Sequence, residues 1–348
     1  MVRQARAEPT TAEVVAALSQ AAAYPPPEQP VEAIETHMSW VFLTEAHAWK
    51  LKKPVRHGRL DFSTASARRF YCLEELRLNR RLASSVYLDV VPLTREGDGT
   101  LRIGGTGCAV DWLVKMRRLP LARMLDRMIA VGEAAEGHMR AIAAALCAFY
   151  RTQAPAPLDR RGYRALLLRT VDEHERELAD PAWALPADRV HALAAVQRDF
   201  VRRHAAELDA RVAAGRVVDA HGDLRPEHVW LGEPLAIIDC LEFSAELRLA
   251  DTADEVGFLA LECERAGAAG LGRVLVEAYR EQCGDAVSPQ LLHFYQSCRA
   301  CTRAQLAIAH LHEPRYRDSP VWRRRALRYL ALATRHLRAA GLMHPAGR

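Results

Sequence analysis

The residue types best able to do chemistry crowd into one stretch: His221, Asp223, Glu227, His228, Asp239 and Glu242, with Asp251 and Asp254 shortly after. Residues 217–239 open on an apolar pair, pass through AHGDL and a polar loop, run on as HVWL, turn at GEP and end in LAIID. Folded as two short strands in a hairpin, the stretch brings the loop before the first strand and the end of the second to one rim. Asp223 and Asp239 then face one cavity, where one carboxylate could act as a general base and the other hold a metal. A lone loop aspartate is usually a turn residue or a helix cap. Four candidate ligands in a short insert between helices weaken that plain reading. A second feature is a local return to lysine: among 48 basic residues the only lysines are Lys50, Lys52, Lys53 and Lys115, and three of them lie in AWKLKKPV. A compact ammonium suits a phosphate as a point charge, while lysines guarding an exposed edge strand are the alternative.

These residues need elements to position them. TAEVVAALSQAA (11–22) reads as an amphipathic helix, and YPPPEQP (24–30) as an extended connector that cannot continue it. VEAIET, SWVFLT and HAWKLKKPV, within 31–55, read as three antiparallel strands joined by two tight turns. Residues 64–83 predict a helix capped by Ser63 or Thr64. VYLDVVPLT and LRIGGTGCAVDWLVKM read as two more strands, with turn chemistry in REGDGT between them. From about Leu119 the apolar spacing is helical to the end, interrupted only at 217–243. A β-rich part with one helix, then a helix-rich part with a small β insert, predicts a two-lobed α+β architecture and excludes a doubly wound sheet.

HGDLRPEHVWL followed by AIIDCLEF resembles the HGDLxxxN…hhD signature of aminoglycoside phosphotransferase-like kinases, which share the protein-kinase-like fold. ETHMSWVFLT, KLKKPV, LDFST, ELRLNRRLA and VVPLT, in that order, are similar to a bacterial group within that family. The resemblance runs from about Val31 to the helices near 340. It implies a protein-kinase-like α+β fold with a small β-rich lobe (1–115) that carries the nucleotide-binding lysine. A mainly helical lobe (116–348) would carry the catalytic loop and the metal-binding hairpin. It implies transfer of the ATP γ-phosphate to a hydroxyl of a small molecule, which nothing in the sequence identifies. Some members of the group carry a second, P-loop kinase domain, but no GxxxxGK[ST] occurs in this sequence.

Carried over by position, the resemblance makes Asp223 the base for the acceptor hydroxyl and Asp239 the ligand that holds Mg²⁺ against the phosphates. His221 orients the loop through hydrogen bonds. A strand lysine grips the phosphates and pairs with a helix glutamate. The apolar-x-apolar-Lys pattern favours Lys52, whereas strict alternation puts Trp49, Leu51 and Lys53 on one face and keeps Lys53 open. Glu75 is chosen as the partner, with Glu74 the alternative. DWLVKMRRLP (111–120), with Met116 inside it, is read as the hinge near the adenine.

Two departures stand out. The family places an Asn five residues after the base, where this chain has His228. Imidazole binds divalent metals, but Mg²⁺ prefers oxygen. Three readings therefore stand: a ligand in an enzyme that favours Mn²⁺, a metal held by Asp239 and water, or lost catalysis with nucleotide binding kept. The turn in ETHMSW has no glycine, so Thr36 and Ser39 would have to meet the phosphates unless they are ordinary turn residues.

Other classes fit less well. The chain has 348 residues, 50% hydrophobic and 26% charged, which excludes disordered, collagen-like and disulfide-framework proteins. A net charge of +5 argues weakly for a nucleic-acid or membrane partner, and neither is expected. No apolar run nears the ~20 residues of a membrane span. The basic start has no apolar run behind it, so a cytoplasmic location is expected. Eight scattered cysteines fit reduced, mostly buried thiols, and the Cys298/Cys301 pair fits core packing. Asp251 and Asp254 are read as a helix cap and a support for the catalytic loop, with direct substrate contact the alternative, and Arg299 and Arg303 as a solvated stripe, with a place facing the acceptor cleft the alternative. The competing functions are a kinase-fold nucleotide-binding module without turnover and a metal-dependent hydrolase built on His221, Asp223, His228 and Asp239. The oligomeric state is not readable.

Overall fold

The computed structural model describes residues 9–25, 31–57, 60–313, 316–317 and 319–343. The basic start and residues 26–30 of the expected connector lie outside them. The chain forms two compact units, Met1–Met128 with Glu227–Leu247, and Ile129–Pro226 with Arg248–Arg348. The 229–237 hairpin therefore folds with the sheet, although it follows the long helical stretch in sequence.

In the first unit, α1 (Thr11–Leu18) begins with a capping box between Thr10 and Glu13 and ends earlier than its apolar spacing predicts. Strands β1 (Glu32–Glu35), β2 (Ser39–Leu43) and β3 (His47–Lys52) form the expected antiparallel run. A two-residue pair follows, β4 (Arg56–His57) with β5 (Leu60–Asp61). Next comes α2 (Ala65–Ala83), for which Thr64 is the N-cap, accepting from the Ala67 N–H at 3.1 Å. Arg80 and Arg81 sit in its last turn, where cations suit the helix dipole. β6 (Tyr87–Arg95), β7 (Leu101–Ile103) and β8 (Cys108–Arg117) complete a six-stranded sheet of order β1-β2-β3-β8-β6-β7. The stretch expected as one strand from Leu101 breaks at Gly104 (φ +67°), where the chain turns from β7 into β8.

The sheet is buried on both faces. Trp49 and Leu51 of β3 pack with Val14 and Leu18 of α1 and with Phe42, Leu93 and Leu113. On the opposite face Cys72, Leu76 and Ala83 of α2 pack with Tyr87, Val114, Trp230 and Ala236. Alternation along β3 therefore sends Lys50 and Lys52 toward α2, while their neighbours enter the other core. Val229–Trp230 and Ala236–Ile237 pair as a hairpin. It is tied down by the Leu231 N–H to the Arg123 carbonyl (2.8 Å) and the Trp230 indole N–H to the Pro120 carbonyl (3.3 Å). Gly232 is required there, because a Cβ would lie 2.0 Å from the Trp230 ring. α3 (Leu125–Ala130) follows the sheet in sequence.

The second unit is helical. Its helices are α4 (Glu136–Thr152), α5 (Arg160–Leu178), α6 (Ala187–Arg203), α7 (Ala205–Ala213), and, after the short α8 (Ala245–Arg248), α9 (Thr252–Arg265), α10 (Ala269–Cys283), α11 (Pro289–Ala309) and α12 (Pro320–Ala339). Val217–Asp219 pairs with Leu249–Asp251 as a two-stranded ladder. A core of Leu193, Leu261, Ala304, Ile308, Tyr329, Leu330 and Ala333 knits α6, α9, α11 and α12 together. Cys298 and Cys301 are buried in α11, as packing predicts. The expectation of uniformly reduced thiols needs correction. Cys147 and Cys283 form a disulfide, and six cysteines are free. The partners stand 136 residues apart, a pairing that local pattern does not encode.

No helix among the described residues is long and apolar enough to cross a membrane.

Candidate functional site

In the first unit two lysines share one glutamate. Lys50 Nζ donates to Glu75 Oε1 at 2.8 Å and to Asp239 Oδ1 at 2.7 Å. Lys52 Nζ donates to Glu75 Oε2 at 2.6 Å and to Glu242 Oε1 at 2.5 Å, over the Phe62 ring. Glu75 and Lys52 are fully buried, whereas the Lys50 side chain is 16% exposed and that of Asp239 46% exposed. The cluster opens to solvent on the Lys50–Asp239 side and is sealed on the Lys52–Glu242 side.

The ionisation balance follows from this packing. Burial works against the Lys50 charge, but Asp239, Glu75 and Glu242 outweigh it and hold its pKa well above the ordinary value. Lys52 is likewise raised: burial opposes its charge, and Glu242 and Glu75 prevail. Burial pushes Glu75 up, yet the two ammoniums pull it below its usual range. All three groups are charged at neutral pH.

Asp239 has a left-handed backbone, φ +62°. Aspartate tolerates that conformation better than most residues. Two side chains hold it there. The Tyr87 hydroxyl accepts from the Asp239 N–H (3.1 Å), and Asn79 Oδ1 accepts from the Cys240 N–H (2.9 Å). Asn79 also donates back to the Glu75 carbonyl (2.9 Å), so a single turn of α2 supports both acids. His228 Nε2 lies 3.5 Å from Asp239 Oδ2. Asp239 and His228 thus offer one oxygen and one nitrogen donor. That set fits a divalent cation that takes further oxygens from phosphates and water, and the imidazole tolerates Mn²⁺ better than Mg²⁺.

The remaining candidates of this unit lie elsewhere on the sheet. Lys53 Nζ binds Glu35 Oε1 and the Thr36 carbonyl, both at 2.6 Å. Thr36 and Ser39 close the β1–β2 turn: Thr36 Oγ1 donates to the Ser39 carbonyl (2.8 Å) and accepts from the Ser39 N–H (3.0 Å). Met116 sits in β8 opposite Ala48 and Tyr87, against the core under α2. Glu74 pairs with Arg77 on the exposed side of α2.

In the second unit His221, Gly222 and Asp223 form a loop after the Val217–Asp219 strand. Gly222 has φ +87°, open to glycine alone at little cost. Glu255 Oε1 accepts from the backbone N–H groups of His221 (2.8 Å) and Gly222 (2.7 Å), and Glu255 Oε2 accepts from the Tyr150 hydroxyl (2.8 Å). The His221 ring is fully buried, and its Nδ1 accepts from the Asp223 N–H at 3.3 Å. The Asp223 carboxylate is gripped through both oxygens by Arg225, each contact 2.9 Å.

Asp251 caps α9, accepting from the Ala253 N–H at 2.8 Å, and pairs with Arg211. Asp254 pairs with Arg299, whose Nη1 also lies 3.5 Å from the Gly222 carbonyl. Arg299 is therefore no member of a solvated stripe but a largely covered cation, its side chain 13% exposed, that meets Asp254 and the loop. Arg303 is buried, 3.6 Å from Glu262 and over the Tyr329 ring. Helical spacing alone could not tell a solvated arginine from one that meets an acid on another helix.

Sequence reasoning did not single out Lys50 among its neighbours, read Arg299 as solvated, and passed over Glu255, Tyr87 and Asn79. For Lys50 the signal was present, because residues two apart on a strand share a face. The others depend on contacts between distant segments.

The fold is a mixed α+β one, an antiparallel sheet unit and a helical unit, of the kind found in kinase-like structures. The chain resembles the crystal structure of a choline/ethanolamine kinase family protein from Mesorhizobium loti. The TM-score is 0.56 at 17% identity, over 95% of this chain and 98% of that one. Such a likeness establishes the fold. In sequence the chain is 32% identical over 323 residues to uncharacterized proteins of Mycobacterium tuberculosis and Mycobacterium bovis. The match covers 91% of this chain and spans about 62% of the length of those relatives. No family model matches the chain.

Proposed function

We propose that the protein is an ATP-dependent phosphotransferase that moves the γ-phosphate to a hydroxyl of a small molecule. The observation that carries this reading is the Lys50 ammonium, held between a helix glutamate and a partly exposed aspartate at 2.8 and 2.7 Å. Phosphoryl transfer asks for positioning and for positive charge beside the phosphates. Lys50 meets both needs: Glu75 fixes its direction, and Asp239 is the partner it would exchange for a phosphate oxygen. Lys52, sealed in by Glu242, would hold Glu75 in place. Of the three lysines, Lys50 therefore suits the nucleotide best, Lys52 the support of it, and Lys53 the brace of the β1–β2 turn. Thr36, Ser39 and Met116 remain candidate nucleotide contacts.

Asp239 and His228 would hold a divalent cation, Mg²⁺ or Mn²⁺, which supplies further positive charge to the phosphates when bound. Asp223 would take the proton from the acceptor hydroxyl. His221, through its Nδ1, and Glu255, through two backbone N–H groups, would keep the loop in the shape that presents Asp223. Arg225 holds both Asp223 oxygens and would have to yield one of them for the proton to arrive. A cytoplasmic location, where ATP is abundant, belongs to the same proposal, as does a small-molecule acceptor in preference to nucleic acid or membrane.

Incubation with labelled ATP, a panel of hydroxylated metabolites and aminoglycosides, and either Mg²⁺ or Mn²⁺ tests the reading. Transfer to at least one compound is expected. Asp223→Asn should lower it by about 10²–10⁴-fold without changing nucleotide-induced thermal stabilisation. Transfer left intact in Lys50→Met would sink the assignment.

One observation favours a second reading, a nucleotide-binding module without turnover: an imidazole stands where the family has an amide, 3.5 Å from Asp239. Thermal stabilisation by ATP without phosphate transfer, and gain of Mg²⁺-dependent transfer in His228→Asn, would select it. A metal-dependent hydrolase draws less support, since its ligand set needs a His221 ring that is fully buried and already accepts a backbone N–H.

A further inference from the structure

The disulfide ties the middle of α4 to the last residue of α10. Cys147 is buried and Cys283 half-exposed. Two routes run from this bond to the loop that carries Asp223, both inside the second unit. Along α4, Tyr150 stands one turn beyond Cys147, and its hydroxyl donates to Glu255 Oε2 at 2.8 Å. The other oxygen of Glu255 holds the N–H groups of His221 and Gly222. Along α10, the chain leaves Cys283 through Gly284, in the left-handed conformation (φ +60°), and reaches Asp285 two residues on. Asp285 accepts from the Tyr279 hydroxyl and pairs with Arg211. Arg211 pairs in turn with Asp251, the N-cap of the helix that bears Glu255. The polar contacts flanking the bond (Arg140 with Glu281, Arg151 with the Gln282 carbonyl, Gln282 with the Arg140 carbonyl) are exposed and offer little resistance to water.

The other cysteines are set up differently. Cys72 and Cys301 are buried, and burial pushes each thiol up to about 12, which leaves almost no thiolate. Cys298 is raised by burial in the same way. Cys240 and Cys263 are buried as well, and the exposed Cys108 belongs to β8 of the first unit, whereas the disulfide joins a half-exposed cysteine to contacts that lead to the loop.

We propose that Cys147–Cys283 is a thiol-exchange site through which a dithiol reductant sets the order of the Asp223 loop. The regulatory consequence rests on the reading of Asp223 as the catalytic base. A thiolate of the dithiol attacks Cys283 Sγ, the sulfur of the less buried cysteine. The S–S bond breaks toward Cys147, whose sulfur leaves with the electron pair and takes a proton. The second thiol of the reductant then attacks the mixed disulfide, frees Cys283 as a thiol and closes the reductant's own disulfide. Two electrons pass to the protein, and the two cysteines end protonated. The fold already provides for the reduced form, since the Tyr279 carbonyl oxygen lies 3.9 Å from Cys147 Sγ as an acceptor for its S–H. In a reducing compartment such a bond is transient by nature. Its loss removes the covalent tie next to Tyr150 and Asp285, and the Glu255 clamp loosens.

Thiol counting together with hydrogen exchange tests the proposal on the whole chain. Alkylation of air-oxidised, denatured protein should label six cysteines and spare Cys147 and Cys283, while pretreatment with dithiothreitol should expose all eight. Exchange at the His221 and Gly222 amides should rise at least ten-fold on reduction with the helical circular dichroism unchanged. Cys283→Ser should exchange fast in both buffers. Labelling of all eight without reductant, or loop exchange that ignores reduction, overturns the proposal, and reduction of the unmodified chain decides even if the variant folds poorly. A parallel transfer assay separates the two claims. Redox-dependent exchange with no transfer in either state keeps the switch and refutes the kinase reading. Equal transfer and equal exchange in both states does the reverse.

Discussion

Each unit has a fully buried glutamate in its candidate cluster, Glu75 in the first and Glu255 in the second, and the two are satisfied in opposite ways. Glu75 gives both oxygens to ammoniums, Lys50 and Lys52. Glu255 gives both to neutral donors, two backbone N–H groups and the Tyr150 hydroxyl. Burial raises the pKa of both. At Glu75 the ammoniums reverse the effect and the pKa ends low. At Glu255 burial prevails over the Gly222 N–H and the Tyr150 hydroxyl, and the pKa ends high. The first cluster sets two ammoniums among three carboxylates, Glu75, Asp239 and Glu242, so its charges are held by one another, whereas the clamp on the loop needs only direction. The difference teaches that equal burial says nothing about charge until the partners are known.

The largest expected effect comes from breaking the charged anchor. Glu75→Leu leaves Lys50 and Lys52 each with one acid in place of two, Lys52 in a fully buried position. Removing one partner from a buried ion pair costs about 3–5 kcal/mol. Chemical denaturation should show a loss of that order, and nucleotide-induced stabilisation should vanish with it. The neutral clamp should break more gently. Glu255→Gln keeps one acceptor oxygen for the His221 and Gly222 amides but puts an N–H opposite the Tyr150 hydroxyl, which must turn from donor to acceptor, for a loss of about 1–3 kcal/mol. Hydrogen exchange should localise the damage to His221 and Gly222. Equal losses for the two variants would erase the proposed contrast.

Acid sharpens the contrast, because the two groups shift in opposite directions from the ordinary 4.5. A depressed carboxyl contributes stability above its unfolded pKa, and that contribution disappears as pH falls through the lower folded value. The gap between the wild type and Glu75→Gln should therefore shrink as pH falls below 4.5. A raised carboxyl behaves in the reverse sense. Ionisation opposes folding, so its contribution is greatest in acid and fades as pH climbs from 4.5 through the higher folded value. The gap between the wild type and Glu255→Gln should shrink as pH rises above 4.5. Two urea series from pH 3 to pH 7 give both slopes, and slopes of the same sign would contradict the assignment of partners.

What was legible in the sequence follows the same division between local and distant contacts. The three-strand run, the α2 helix with its Thr64 cap and the 229–237 hairpin are written in spacing and turn residues a few positions apart. So are the glycine at 222 and the clustering of acids after it. The face of β3 was also legible, but motif matching favoured Lys52 and strand alternation was applied to Lys53, so Lys50 was not singled out although it shares the face of Lys52. Nothing local announces that Arg299 meets Asp254 and the Gly222 carbonyl, since helical spacing describes one helix and the acid sits on another. The hairpin's membership in the sheet unit and the Cys147–Cys283 pairing depend on contacts across more than a hundred residues. A period-counting argument has no access to them.

The smallest effect is expected at Lys53, and it is informative because Lys53 is one residue from the buried cluster. Its ammonium holds Glu35 and the Thr36 carbonyl at the sheet edge, where the Glu35 side chain is 41% exposed. Such a pair contributes about 0–1 kcal/mol and weakens further with salt. Lys53→Met should therefore leave the denaturation midpoint almost unchanged and keep nucleotide-induced stabilisation, while Lys50→Met removes the latter and Lys52→Met lowers the midpoint by leaving Glu242 and half of Glu75 without a cation. Neighbouring lysines with three distinct outcomes would locate the functional charge by strand geometry. If Lys53→Met instead abolished nucleotide binding, the β1–β2 turn and not the Glu75 cluster would be the phosphate contact, and the roles of Lys50 and Lys53 would exchange.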